Sequence, residues 1–268
     1  MLAPATLRQI TPDANILSAR TRPLLRDVNR VQAPCSSCHL KALCLPCGLR
    51  ADELDIVDQL VHTRRRVLRG EALYRAGDPF KSLYAARIGF FKSVVVMADG
   101  RNQITGFVMS GEMLGMDGIE SGIHTVSVVA LEDSEVCVIP YAQLEAHATR
   151  LPRLQHQIYK IMSREIVREQ GIMMLLGSMC AEERVAAFLV NLSQRFEARG
   201  YSPAEFNLRM TREEIGSYLG LKLETVSRIM SKFQDLGLIQ ARLRSVRILD
   251  AAGLKQMMVK EERRVAAG

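Results

Sequence analysis

Apolar and polar positions along this chain change rhythm three times. From about Val67 to Pro140, short apolar runs such as Phe91-Lys92-Ser93-Val94-Val95-Val96 and Thr125-Val126-Ser127-Val128-Val129 alternate with Gly70, Gly77, Gly89, Gly100, Gly111, Gly115 and Gly118. β-rich runs separated by glycine at intervals of about 8–12 residues predict a β-sandwich or barrel. Residues 151 to 179 lose glycine almost entirely and predict one long helix. The helical period continues from Glu182 to Arg199 and gives way to a compact helix pair. Residues 1 to 34 carry Pro4, Pro12, Pro23 and Pro34 with little apolar period, which predicts a mobile arm.

Within the long helix, Tyr159, Met162, Ile166, Glu169, Met173 and Leu176 recur at alternating spacings of three and four. That is the pattern of a two-helix seam, although a helix packed on its own domain can show the same period. In a homodimer Glu169 would face its symmetry mate. Two carboxylates about 6 Å apart at an effective dielectric of about 20 repel by roughly 2–3 kcal/mol. An allosteric coupling is typically about 1–3 kcal/mol, so such a repulsion can decide a monomer-dimer balance.

The helix pair carries the sharpest motif. Thr211 followed three residues later by Glu214 has capping-box spacing, and Gly220-Leu221-Lys222 supplies a tight turn. A second helix follows from about Leu223 to Leu236. Val226, Met230 and Phe233 form one stripe on it, with Glu224, Ser227, Arg228 and Ser231 on another. The first stripe can pack while the second enters a major groove, so the pair predicts a helix-turn-helix that binds double-stranded DNA. Residues 238 to 249 alternate in their second half and predict a β-wing whose arginines can meet phosphates, a role open also to Lys232.

Composition narrows the class. A chain of 268 residues, 48% hydrophobic, is long enough for two domains. Its formal charge of +7 suits an anionic partner. No apolar run reaches the roughly 20 residues of a membrane helix, and no signal peptide is legible. Asp13 and Asp27 argue against a transit peptide, so a cytoplasmic protein with reduced thiols is expected. No Ser/His/Asp set, phosphate-binding loop or carboxylate pair marks an enzyme, and the five histidines are scattered.

Chemistry concentrates in Pro34-Cys35-Ser36-Ser37-Cys38-His39-Leu40-Lys41-Ala42-Leu43-Cys44-Leu45-Pro46-Cys47. Thiolates are soft ligands suited to zinc or to iron-sulfur clusters, and both commonly take four. The local quartet Cys35, Cys38, Cys44 and Cys47 can chelate one zinc, and His39 is a candidate substitute ligand. Two cysteines lie elsewhere: Cys137 in an apolar run, and Cys180 at the join to the helical region.

Four separated segments resemble the CRP/FNR superfamily of bacterial transcription regulators, and within it the oxygen-sensing FNR proteins. They are Gly77-Asp78-Pro79-Phe80-Lys81-Ser82-Leu83-Tyr84, Gln103-Ile104-Thr105-Gly106-Phe107, Ala181-Glu182-Glu183-Arg184-Val185-Ala186-Ala187-Phe188 and Leu223-Glu224-Thr225-Val226-Ser227-Arg228. The resemblance implies an α+β protein with an N-terminal β-roll sensor domain, the cyclic-nucleotide-binding-like double-stranded β-helix. A long dimerisation helix and a C-terminal winged helix-turn-helix follow. Boundaries are then residues 1–34 for the arm, 35–150 for the cluster-binding segment and β-roll, 151–180 for the dimerisation helix and 181–268 for the DNA-binding domain.

The resemblance also assigns residues. Cyclic-nucleotide-binding relatives carry a Gly-Glu-Leu-like element and an Arg-Ser pair; here Gly111-Glu112-Met113 is read as the former, and His124-Thr125 stands for the latter. An imidazole in place of a permanently charged guanidinium should capture phosphate poorly. A CRP-like regulator sensing a small molecule or cyclic nucleotide, with structural zinc, is therefore the second reading. FNR proteins hold a 4Fe-4S cluster on three clustered cysteines and a distant one, which implies Cys35, Cys38, Cys44 and Cys137, with Cys47 extra. They dimerise without oxygen, bind palindromes related to TTGAT-N4-ATCAA, and activate or repress genes of anaerobic metabolism through RNA polymerase. Glu224, Ser227 and Arg228 match the family's base-reading positions.

Overall fold

The computed structural model describes residues 34–61, 63–97 and 100–258. The segment read as a mobile arm lies outside them except for Pro34. A 3-10 turn, Cys35–Ser37, and α1, Ala51–Leu60, precede eight strands. These are β1 Thr63–Val67, β2 Ala72–Tyr74, β3 Ser82–Ile88, β4 Phe90–Val96, β5 Asn102–Met109, β6 Met113–Leu114, β7 Ser127–Ala130 and β8 Ser134–Pro140. The rest of the chain forms α2 Tyr141–Ala148, α3 Pro152–Ser178, α4 Ala181–Glu197, β9 Glu205–Asn207, α5 Arg212–Leu219, α6 Leu223–Asp235, β10 Ile239–Arg242, β11 Ser245–Ile248 and α7 Ala251–Gln256.

The first eight strands make two four-stranded antiparallel sheets, ordered β1-β8-β3-β6 and β2-β7-β4-β5. Alternate residues face inward, and Val67, Leu73, Phe91, Val108, Val128 and Val136 fill the space between the sheets. Each large side chain so buried contributes roughly 1.5–3 kcal/mol. The expected β-roll, long helix and winged helix-turn-helix are all present.

A second cluster lies outside the first sheet, where Leu45, Val57, Leu60, Leu83, Ile139, Leu144 and Leu154 bring the cysteine segment, α1, α2 and the start of α3 together. Beyond that anchorage α3 is largely uncovered, and only Leu154, Gln157 and Leu175 are buried along its 27 residues. Pro152 in its first turn needs no N–H partner, which suits the helix start.

The third cluster ignores the domain boundary. Phe90, Val94, Ile104, Phe107 and Met109 of β4 and β5 pack with Val185, Phe188 and Leu189 of α4 and with Ile215 and Leu219 of α5. Phe107, Phe188 and Tyr218 meet there in tilted and edge-to-face contacts with centroids 5.1 to 6.2 Å apart. Strand β5 is a sheet edge with amides to satisfy, and its Ile104 N–H donates to Ser217 Oγ at 3.0 Å. Lys92 Nζ donates to Glu214 Oε1 at 2.7 Å beside it.

Candidate functional site

Two sites stand about one long helix. In the first, the cysteine segment folds as successive tight turns: Cys38 N donates to Cys35 O at 3.2 Å, Cys44 N to Leu40 O at 3.1 Å and Cys47 N to Cys44 O at 3.1 Å. Asp58 of α1 clamps the first turn, accepting from Ser36 N at 3.1 Å and from Ser36 Oγ at 2.7 Å. Cys137 sits in β8 between Arg64 of β1 and Ala85 of β3, a central position that holds it still.

Cys35, Cys38, Cys44 and Cys137 line one pocket with Leu40, Leu45, Val61 and Ile139, around a cavity of about 30 Å³. Burial, followed by the charges of Cys137, Cys44, Asp58 and Cys38, pushes the Cys35 thiol up to about 12. Burial first, with Cys137 and Cys38 adding, also takes Cys44 up to about 12 despite an N–H bond from Leu45. Burial raises Cys137 too, against Arg64 and Arg87. Cys35, Cys44 and Cys137 thus each feel the charge of a neighbouring thiol as well as burial.

Cys47 does not join them. It lines a separate cleft with Arg153, His156 and Lys160 on the α3 side, so the local quartet is not assembled in one pocket. His39 is exposed and faces a different cleft, near Arg199 and Arg209. Cys180 is exposed at the N-cap of α4, where its N–H donates to Glu183 Oε2 at 2.9 Å. Among the described residues, no three His, Cys, Asp or Glu side chains stand close enough to hold a single metal ion.

The match of Gly111-Glu112-Met113 to the Gly-Glu-Leu-like element is corrected by the structure, because a different carboxylate stands beside His124-Thr125. Glu112 faces away from His124 and Thr125, toward Arg168, Arg195 and Arg199. The carboxylate beside His124-Thr125 is Asp117, whose Oδ2 accepts from Thr125 N at 2.7 Å and Val126 N at 3.2 Å. His124 is buried and stacks on Tyr74 with centroids 3.7 Å apart, edge-on to Phe80. An acidic group thus occupies the Thr125 and Val126 amides, an arrangement hostile to phosphate.

The second site is the helix pair. Thr211 Oγ1 accepts from Glu214 N at 3.1 Å, and Glu214 Oε2 accepts from Thr211 N at 2.7 Å, so the capping box is closed. Burial tends to raise the Glu214 carboxyl, but hydrogen bonds from Lys92 and Thr211 outweigh it and lower its pKa. Gly216 allows the turn to close: a Cβ there would stand 2.6 Å from Leu221 O. Val226, Ile229, Met230 and Phe233 bury one side of α6, leaving Glu224 and Arg228 exposed and Ser227 half-buried on the other.

Lys232 is half exposed and reaches Glu182 at 2.6 Å, so α4 and α6 share that charge. Strands β10 and β11 make the wing, with β9 adding a third strand that the sequence pattern did not show. Arg242 and Arg244 are exposed at its tip, and Arg247 pairs with Glu205 at 2.8 Å. On α3, Tyr159, Met162, Ile166, Met173 and Leu176 are 36% to 72% exposed, forming an uncovered apolar stripe with Glu169 exposed among them. Val167 and Met174 widen that stripe and were missed because they fall between seam positions.

A β-roll joined through one long helix to a winged helix-turn-helix defines a DNA-binding transcription regulator. A Crp-like helix-turn-helix domain model matches residues 183–257, and a cyclic nucleotide-binding domain model matches residues 64–150. The chain is 50% identical over 229 residues to the transcriptional regulatory protein btr of Bordetella pertussis, covering 85% of this chain and 95% of that one. It is 41% identical over 240 residues to the fumarate and nitrate reduction regulatory protein of Escherichia coli, covering 88% and 96%. The solved structure of FixK2 from Bradyrhizobium japonicum superposes with a TM-score of 0.67 at 29% identity, covering 73% of this chain and 96% of that one. The chain belongs to the CRP/FNR superfamily of transcription regulators. Among the described residues, no helix is long and apolar enough to cross a membrane.

Proposed function

We propose that this protein is an oxygen-responsive regulator of anaerobic metabolism in which Cys35, Cys38, Cys44 and Cys137 hold a 4Fe-4S cluster. The observation that carries this reading is the convergence of those four thiols on one apolar pocket while Cys47 turns to another. Cys35, Cys38, Cys44 and Cys137 would hold the cluster as thiolates, and its iron would offset the negative charge that burial disfavours on Cys35, Cys44 and Cys137. When bound, it supplies a centre that reacts with oxygen.

The chain's own residues relay its presence. Asp58 fixes the turn that carries Cys35 and Cys38, and Cys137 anchors the far side to β8. Gln157 ties Cys44 to α3. Ordering that segment against α3 favours pairing of the Tyr159, Met162, Ile166, Met173 and Leu176 stripe with a second copy. The dimer presents two α6 helices to half-sites about 34 Å apart. Arg228 suits guanine, Glu224 a cytosine amino group, and Ser227 a smaller contact. Lys232, Arg242 and Arg244 meet phosphates, and an exposed face of the DNA-bound dimer engages RNA polymerase.

Anaerobic purification with iron and acid-labile sulfide analysis tests this. About four of each per chain, with a broad visible band that collapses in air, is expected. Cys137→Ser should abolish the band and Cys47→Ser should leave it. A colourless protein carrying one zinc would refute the reading.

A further inference from the structure

Three arginines, from α3, α4 and the turn that follows α4, converge on one carboxylate. Glu112, in the turn between β5 and β6, receives Arg195 Nη2 at 2.6 Å and Arg195 Nε at 3.1 Å, a two-pronged grip from α4. Arg199 Nη2 donates to Oε1 at 2.6 Å, sharing it with Arg195 Nε, and Arg168 of α3 stands 3.6 Å from Oε2. The same guanidinium groups hold the turn's backbone, Arg195 donating to Phe107 O and Arg199 to Ser110 O, each at 2.7 Å. Glu112 therefore binds the β-roll, the long helix and the DNA-binding domain at one point.

The back of that turn touches the cysteine segment. Gly111 N donates to Ala86 O at 2.7 Å, and Ala86 N donates to Glu112 O at 2.9 Å, next to the Ala85 that pairs with Cys137. Gly111 has φ +89, and a Cβ placed on it would meet Leu43 Cβ at 3.0 Å and Leu40 Cδ2 at 3.8 Å. Leu40 and Leu43 lie between Cys38 and Cys44. A shift of the cysteine segment is thus passed by direct contact to Gly111 and to Glu112 one residue on.

We propose that Glu112 is the positioning residue that fixes the DNA-binding domain relative to the long helix, and so sets the separation of the two recognition helices in the dimer. The cysteine segment acts on it through Leu40 and Leu43. This proposal rests on the function proposed above for its dimer and palindrome. With the clamp closed, Glu224 and Arg228 remain exposed, so the clamped arrangement is one that can meet DNA. A loose clamp leaves each recognition helix competent but lets the spacing between them vary.

The test is binding by the full-length anaerobic protein to the palindrome and to versions with one or two base pairs inserted between the half-sites. The wild type should prefer the native spacing by about tenfold or more. Glu112→Gln keeps size and polarity but loses the charge. It should retain wild-type iron content and single-half-site binding, while its spacing preference falls to about threefold or less. Arg195→Lys, which keeps the charge without the fork, should show a smaller loss of the same kind. A spacing preference in Glu112→Gln equal to wild type overturns the proposal. If the wild type itself shows no spacing preference, the palindrome reading has failed, and hydrogen exchange without DNA then decides the clamp. Exchange about tenfold faster at Gln194 to Glu197 in Glu112→Gln, with β8 unchanged, supports it; equal rates overturn it.

Discussion

Gln157 of the long helix donates from Nε2 to the carbonyl of Cys44 at 3.2 Å, and its side chain is 4% exposed. A buried amide in the anchored first turns of α3 is thus committed to the cysteine segment. Gln157→Met preserves length and removes the donor. It should cost about 1 kcal/mol of stability, the usual net worth of such a bond. It should also weaken dimerisation of the anaerobic protein in sedimentation. Wild-type association would mean that the bond does not carry the coupling.

Glu112 yields a pH dependence. Burial pushes its carboxyl up, but Arg195 and Arg199, with Arg168 behind them, prevail and hold it down from 4.5 to about 2. The folded-state value is the lower one, so the stabilisation is fully present above about pH 4.5 and is lost as pH falls through about 2. A shift of that size corresponds to roughly 3 kcal/mol. In urea titrations of the metal-free proteins, the gap between wild type and Glu112→Gln should narrow steadily from pH 5 to pH 2. A gap independent of pH would count against an ionised clamp.

Glu169 is exposed on the same face as Tyr159, Ile166 and Met173. Across the proposed two-fold seam it would meet its own copy, so removing the charge should relieve roughly 2–3 kcal/mol of repulsion. On the function proposed above the wild type is monomeric in air, and Glu169→Ala is expected to sediment as a dimer there. A monomeric variant would remove Glu169 from the seam.

The wing turn carries a conformational cost. Leu243 has φ 52 and is 98% exposed, so it adopts a left-handed backbone with no packing in return. Leu243→Gly should stabilise the protein by about 0.5–1 kcal/mol, the steric relief partly offset by glycine's entropy. Thermal unfolding measures this, and a lower midpoint would indicate that Leu243 packs on something in the free protein.

Local signals were legible where one stretch of chain supplies all the parts. The Thr211/Glu214 box, the α6 stripe and the β-wing follow from period and capping, because their partners lie within a few residues. Cys35, Cys38 and Cys44 were visible by spacing. Cys137 was assigned only through family resemblance, and no periodicity places a strand residue beside a segment about a hundred positions earlier. Gly111-Glu112-Met113 shows the opposite limit: the segment matches the family's Gly-Glu-Leu-like element by its residues, but its partners Arg168, Arg195 and Arg199 are far away in sequence and no local pattern points to them.

The sequence by itself determined the order of β-rich, long-helical and helix-turn-helix regions, the polar face of α6 left exposed and the stock of thiols. Those depend on side-chain period and on short-range hydrogen bonds. Only the tertiary structure decided which four thiols share a pocket, that Cys47 belongs to another, that Asp117 rather than Glu112 faces His124, and that Glu112 joins three elements. Such choices are made by strand register and helix docking, which bring together charges and thiols that the chain keeps apart.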